Sequence, residues 1–312
     1  MRKDGLTIMA LFAALASGAA AAPPSPIHVA AIGDRSDGRM IKMADGVQLR
    51  VIEAGRLGDK PPLVLIPGWS MGAEIWRLQI NVFAKDRRVI AFDPRSQGES
   101  TKATAGNTPE ARAQDLHALL ARLGVHRPVL VGWSQGVQDV AAYVDQYGTK
   151  DVAGIVLVDA AVSDGAAGIA ARPKAAAEQF SMLGVYAAHQ QDYLRGMMGA
   201  IISKAQPPGL IDSLVATGMK TPPSTGVAML VADMFGVDRT AALAKIDCPT
   251  LVIASNKSPE LAGQQAMAKR IRGAKFETVD EAAHAVFLDQ PERFDALLTS
   301  FLAGLSDWQG SN

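Results

Sequence analysis

The chain is 312 residues long, 48% hydrophobic and 20% charged, with 31 lysines and arginines against 31 aspartates and glutamates. That length and apolar content suffice for a large buried core and exclude a disordered acidic or basic polymer. The balanced charge leaves no basic footprint, so neither nucleic acid nor an anionic membrane surface is expected as a partner.

Residues 1–22 read differently from the rest. Arg2 and Lys3 form a short basic start, Leu6 to Ala16 is mostly apolar, and a block of alanines leads to Pro23. This is the three-part pattern of a secretory signal peptide, and the apolar run is too short to span a membrane. A periplasmic or secreted protein is expected, cut near residues 21–24. No cysteine closely follows, so no stable membrane anchor is expected. Residues 23–37, rich in Pro, Ala and Gly, read as a flexible lead-in.

From residue 39 onward, strand-like and helix-like stretches alternate. Strands are expected over Val47–Glu53, Leu63–Ile66, Arg88–Phe92, Val129–Val131, Ile155–Val158, Leu251–Ala254 and Phe276–Val279. Compact apolar runs without polar alternation suit strands buried on both faces of a parallel sheet. Helices are expected between them. Over Ala111–Leu123 the residues Leu116, Leu119, Leu120 and Leu123 share one face, and Gly124 can end the helix. A last amphipathic helix is expected over Pro291–Leu305. The alternation predicts an α/β fold with a doubly wound, mostly parallel sheet. Residues 161–245 break the rhythm. They hold helical segments, two proline pairs and six methionines, with no convincing strand. They read as a helical cap or lid inserted into a core of residues 38–160 and 246–306. The single cysteine, Cys248, precedes an apolar run and reads as a small buried hydrophobe.

The strongest local signal is Val129-Leu130-Val131-Gly132-Trp133-Ser134-Gln135-Gly136. A strand runs straight into Gly-x-Ser-x-Gly, and helical spacing follows. A serine on such a turn sits above the sheet edge at a helix N-terminus. Gly132 and Gly136 remove side chains that would clash there. Backbone N–H groups at that terminus favour a developing oxyanion. A serine hydroxyl needs a base. Of the five histidines, His284 follows the last expected strand and precedes the last helix, where a loop reaches the same sheet edge.

These residues carry a resemblance. The chain resembles the α/β-hydrolase superfamily, in order, over nearly all of residues 39–305. Leu65-Ile66-Pro67-Gly68-Trp69 is similar to the family's oxyanion segment. Asp93-Pro94-Arg95-Ser96-Gln97-Gly98-Glu99-Ser100 is similar to its Asp-x-Arg-Gly-x-Gly-x-Ser turn, with Ser96 in place of a usual glycine. The serine elbow and the His284 loop complete the match. The resemblance implies Ser134 as nucleophile, His284 as general base, and the backbone N–H groups of Trp69 and Gln135 as the oxyanion hole. Asp93 and Arg95 are expected to hold their turn together. Ser258 stands where the family commonly has its aspartate. Asp159, at the end of the sixth strand, is the expected substitute, because a histidine base needs an acid to fix its tautomer. Glu260 is the alternative.

Trp133, Met71 and Trp76 are expected to flank a substrate pocket. A small or medium apolar carboxylic ester or lactone is the expected substrate, cleaved through an acyl-enzyme. A carbon–carbon-bond hydrolase, a cofactor-free haloperoxidase-type enzyme and an inactive binding protein on the same fold remain alternatives. The sequence shows no metal-ligand cluster, phosphate loop or dinucleotide fingerprint, and no cofactor is expected.

Overall fold

The structure, a computed structural model, describes residues 38–305 apart from Leu57. The signal peptide and lead-in read from residues 1–37 lie outside these residues. The described chain forms one sheet of eight strands: β1 (Arg39–Lys42), β2 (Gln48–Ala54), β3 (Leu63–Ile66), β4 (Val89–Phe92), β5 (Val129–Trp133), β6 (Gly154–Val158), β7 (Thr250–Ser255) and β8 (Lys275–Val279). Their order across the sheet is β1-β2-β4-β3-β5-β6-β7-β8. The first two strands are antiparallel to their neighbours, and every pairing from β4 to β8 is parallel.

The parallel strands β3 to β7 are buried throughout, which explains their unbroken apolar runs. Each expected strand is present within one or two residues of its expected ends. β1 went unforeseen because it is an edge strand with largely exposed side chains, so burial imposes no apolar pattern on it.

Eleven α-helices are described: α1 (Arg77–Phe83), α2 (Pro109–Arg122), α3 (Gln135–Tyr147), α4 (Ala166–Ala171), α5 (Pro173–Ala188), α6 (Gln190–Ile201), α7 (Leu210–Gly218), α8 (Pro223–Val231), α9 (Leu261–Arg270), α10 (Val286–Asp289) and α11 (Pro291–Ala303). Alternate strand residues feed two cores. Leu63 and Leu65 pack with Ile80 of α1 and with Phe294 and Leu298 of α11. Val64 and Ile66 pack with residues of α2, α3 and α9 on the other face. Each such side chain contributes about 1.5–3 kcal/mol on burial. Helix α2 begins on Thr108, whose side chain accepts from Ala111 N–H, with Pro109 at the first turn. Gly124 follows its end at φ 59°, a left-handed conformation that glycine adopts freely.

Helices α4 to α8 all lie between β6 and β7, in the stretch that broke the sequence rhythm. Among the described residues no helix is long and apolar enough to cross a membrane. Cys248 is 4% exposed, and burial pushes its thiol up to about 12.

The flank of α11 carries a titratable group with a consequence for stability. Burial pushes the Asp295 carboxyl up to about 6; a hydrogen bond from Gln79 opposes this and Glu292 adds to it. An unfolded aspartate titrates near pH 3.9. The folded value is the higher one, so folding favours the protonated form. That contribution is present below about pH 4 and is lost as pH rises to about 6. Asp295→Asn should therefore gain on the wild type by roughly 1–3 kcal/mol between pH 4 and pH 7. Thermal unfolding of both proteins across that range checks it; a difference independent of pH would reject the assignment.

Candidate active site

The turn from β5 into α3 places Ser134 at φ 56° and ψ −117°, a conformation that a non-glycine residue rarely adopts. Its neighbours permit the turn. A Cβ on Gly132 would fall on the Gly136 carbonyl, and one on Gly136 would fall on the Ile66 carbonyl. Ser134 N–H donates to Val158 O of β6 at 3.1 Å, so the turn is tied to the next strand. Gln135 is the first residue of α3, where backbone N–H groups have no partner within the helix.

The segment after β3 closes on this turn. Gly68 allows the approach: a Cβ there would meet the Trp133 ring at 2.9 Å and the Ser134 Cβ at 3.1 Å. Ser70 then takes φ 57°, and Met71 N–H donates to Gly68 O at 3.2 Å. Trp69 stands in this tight turn, directly after the glycine that packs on Ser134.

His284 lies in the loop between β8 and α10. Its Nδ1 is 2.7 Å from Asp159 Oδ2, with the histidine side chain 31% exposed and the aspartate 1%. Facing a carboxylate, Nδ1 carries the proton, which leaves Nε2 as the basic nitrogen. Asp159 directly follows β6, at φ 47°, and its other oxygen, Oδ1, accepts from Ser255 N–H at 2.8 Å and Gln264 Nε2 at 3.2 Å. Gln264 also donates to Ser258 Oγ at 2.9 Å. Glu260 turns elsewhere and accepts from Ala161 N–H at 3.2 Å.

The aromatic residues form layers beneath and beside the site. Trp133 donates from Nε1 to His284 O at 3.0 Å, and its ring centroid is 5.2 Å from the imidazole. Phe287 packs edge-on to Trp133 and stacks on Trp76 at 4.0 Å. Trp76, expected beside the pocket, lies one layer further in, fully buried. Met71 is 1% exposed and belongs to the same core.

The insertion engages both sides of the site. Trp69 Nε1 donates to Gly226 O of α8 at 2.8 Å, and its ring lies 4.6 Å from that of Tyr186 in α5. On the histidine side, Ala285 N–H donates to Ile201 O at 2.8 Å. Asp289 accepts from Ser203 and Lys204 N–H at 2.9 Å and from Ala283 N–H at 2.7 Å.

The neighbouring turn after β4 is held as expected. Asp93 accepts from Ala73 and Glu99 N–H, both at 2.7 Å, and Arg95 grips Asp115 with two hydrogen bonds of 2.6 Å. Ser96, at φ 65°, accepts from Ala103 N–H at 2.9 Å. The hydroxyl thereby ties the strained turn to the segment that follows. Among the described residues no group of three or more His, Cys, Asp or Glu side chains could hold a metal.

One cluster has no counterpart in the sequence reading. Arg112 of α2 donates to Asp139 of α3 at 2.8 Å and to Asp233 at 2.5 Å. Gln135 donates to the other oxygen of Asp233. All four residues are buried. Burial holds both carboxyls above the ordinary carboxylate value, Asp139 at about 7, and Arg112 between them only partly opposes it. Charged side chains on otherwise apolar helix faces are the one sequence signal for such a cluster, and it does not identify partners.

The sequence profile of the alpha/beta hydrolase family matches residues 63–297. A bifunctional esterase/perhydrolase of Acinetobacter calcoaceticus is 37% identical over 103 residues, 33% of this chain and 37% of that protein. A non-heme haloperoxidase of Rhodococcus erythropolis is 36% identical over 105 residues, 33% of this chain and 38% of that one. The chain thus matches little more than a third of the length of these curated relatives. An esterase from Exiguobacterium antarcticum, 21% identical, superposes with a TM-score of 0.76 over 85% of this chain and 99% of that one. The serine elbow, the sheet order and the profile agree, and the chain belongs to the alpha/beta hydrolase family.

Proposed function

We propose that this protein is an exported serine hydrolase that cleaves a small or medium apolar carboxylic ester or lactone. The observation that carries the reading is the Asp159–His284 hydrogen bond, set at the same sheet edge as the strained Ser134 turn. In the proposed reaction His284 Nε2 takes the Ser134 proton as Oγ attacks the carbonyl. The N–H groups of Trp69 and Gln135 stabilise the oxyanion. His284 returns the proton to the leaving group, and water, activated by the same imidazole, releases the acyl group. Helices α4 to α8 act as the cap: their contacts with Trp69 and Ala285 support a roof that sets acyl preference. The buried aromatic and methionine side chains favour apolar acyl groups.

The relatives named above support ester hydrolysis first. The haloperoxidase among them supports a second reading, haloperoxidase-type activity of the same site without a cofactor. Export is proposed from residues 1–22, and the secreted form should have an intact mass that begins near residues 21–24. A fluorophosphonate probe should label Ser134 of that form once per chain. Aryl esters of graded acyl length and a set of lactones should be turned over, with a vinylogous diketone and a bromide–peroxide assay as the competing arms. Absence of both labelling and turnover would leave a binding protein as the reading.

A further inference from the structure

We infer that Asp233, delivered from the cap by the π-helical turn Ala232–Gly236, is a positioning residue for the Gln135 backbone N–H, acting through the Gln135 side chain. The inference rests on the proposed role of that amide in the oxyanion hole. Three side chains on one face of the first turns of α3 are tied down. Gln135 donates to Asp233, and Asp139 accepts from Arg112. Gln138 donates to Ala161 O at 2.8 Å and accepts from Ser163 N–H at 2.9 Å. Residues 135, 138 and 139 share a face because their spacing is three and four. Gln135 and Gln138 are bonded to the two stems of the cap, and Asp139 is bonded to Arg112 of α2, which also holds Asp233.

Those stems are also joined to each other. Ser163 Oγ donates to Met234 O at 2.8 Å, Arg239 N–H donates to Ser163 O at 2.9 Å, and the main chains of Asp164 and Asp238 pair as an isolated antiparallel β-bridge. Arg239 Nη1 donates to the Asp233 carbonyl at 3.3 Å, and Nη2 binds Glu110 at 2.6 Å. Asp233 is therefore fixed at its main chain by Arg239 and at its side chain by Arg112. It presents one carboxylate oxygen to Gln135.

A buried ion cluster is weak evidence for stability, because desolvation offsets most of its Coulombic attraction. Its location gives it a different role. Ser134 supplies no side-chain cap to α3. The orientation of the Ser134–Gln135 peptide is then set by the strained turn on one side and the Gln135 anchor on the other. An oxyanion donor acts at about 2.7–3.1 Å, and misplacement by about 1 Å costs on the order of 10²-fold. The same anchor couples the cap to the reacting centre: a shift of the 233–239 stem moves the Asp233 carboxylate that holds Gln135.

Gln135→Met tests this directly, since it removes the hydrogen bond at similar side-chain length and leaves Arg112, Asp139 and Asp233 paired. With an aryl ester as substrate, kcat should fall about 10- to 100-fold while KM stays within about twofold, normalised to sites titrated by the phosphonate probe. Asp233→Ala should show the same split. The double variant Gln135→Met/Asp233→Ala should be no slower than the worse single one, because both remove one interaction. Asp233→Asn should keep kcat near that of the wild type, since the Gln135 amide can rotate and accept from the new amide. A structural role alone would lower the titratable fraction or the melting temperature and leave kcat per site unchanged, which would overturn the inference. So would losses that add in the double variant. If Asp233→Ala does not fold, Gln135→Met decides. Ser134→Ala, run beside them, separates the failures: if it keeps turnover, the proposed function falls, whereas if it is inactive and Gln135→Met is normal, only this inference does.

Discussion

Ser134→Ala and His284→Ala should each lower turnover of a good ester by roughly 10³–10⁶-fold with the fold unchanged. The serine cannot be replaced by a neighbour, because its position is a property of the turn: φ 56° on a residue with a glycine at the second position to either side, Gly132 and Gly136, neither of which admits a side chain. Among the described residues His284 is the one histidine that a carboxylate holds, with Asp159 at 2.7 Å. Because the two act as one unit, Ser134→Ala/His284→Ala should be little slower than either single variant. The residual rate in all three would come from the proposed oxyanion donors, the Trp69 and Gln135 amides, which neither change removes. Single-turnover kinetics with an activated ester checks this. Near-normal turnover in Ser134→Ala would reject the nucleophile assignment.

The parts of the site that could be read from the sequence are those that local physics dictates. A strand buried on both faces must be apolar throughout, so β3, β4, β5, β6 and β7 were visible as runs. The serine elbow was visible because the turn requires glycines at fixed offsets. His284 was visible from its place between the last strand and the last helix. Strand β1 was not, since an exposed edge leaves no periodic signature.

Long-range polar pairing was invisible for a different reason. Arg112, the Gln135 and Asp139 pair on α3, and Asp233 lie in three places along the chain, and only the packed fold brings their heads together. Periodicity describes which face a residue occupies and says nothing of what waits there. The depth of Trp76 is a similar case. It is expected to flank the pocket, and in the fold it is fully buried, stacked on Phe287 at 4.0 Å with Phe294 beside it. Gln264 was equally silent, although its amide joins Asp159 to Ser258.

Asp159→Asn should cost on the order of 10³–10⁴-fold in turnover, and the donors around Asp159 explain why the isosteric change is damaging. Oδ1 faces two donors, Ser255 N–H and Gln264 Nε2. An asparagine must put its carbonyl oxygen there, because the opposite flip would set its NH₂ against both. Its NH₂ then faces His284 Nδ1, which can accept that hydrogen bond only without a proton. The imidazole is forced to carry its proton on Nε2, where the reaction needs a base. The geometry survives and the tautomer is wrong. Glu260→Gln should change turnover less than about threefold, since its carboxylate serves the Ala161 amide and makes no hydrogen bond to His284. The informative variant is Asp159→Asn/Ser258→Asp. Ser258 Oγ and Asp159 Oδ1 share the Gln264 amide, at 2.9 and 3.2 Å, so the two positions are one hydrogen-bond donor apart. A carboxylate at 258 should recover at least about tenfold of the lost rate, with the pH profile returning toward that of the wild type. Turnover that survives Asp159→Asn but collapses in Glu260→Gln would move the acid to the later loop. No recovery in the double variant, beside a damaged Asp159→Asn, would mean that the loop after β7 cannot reach the imidazole in this chain.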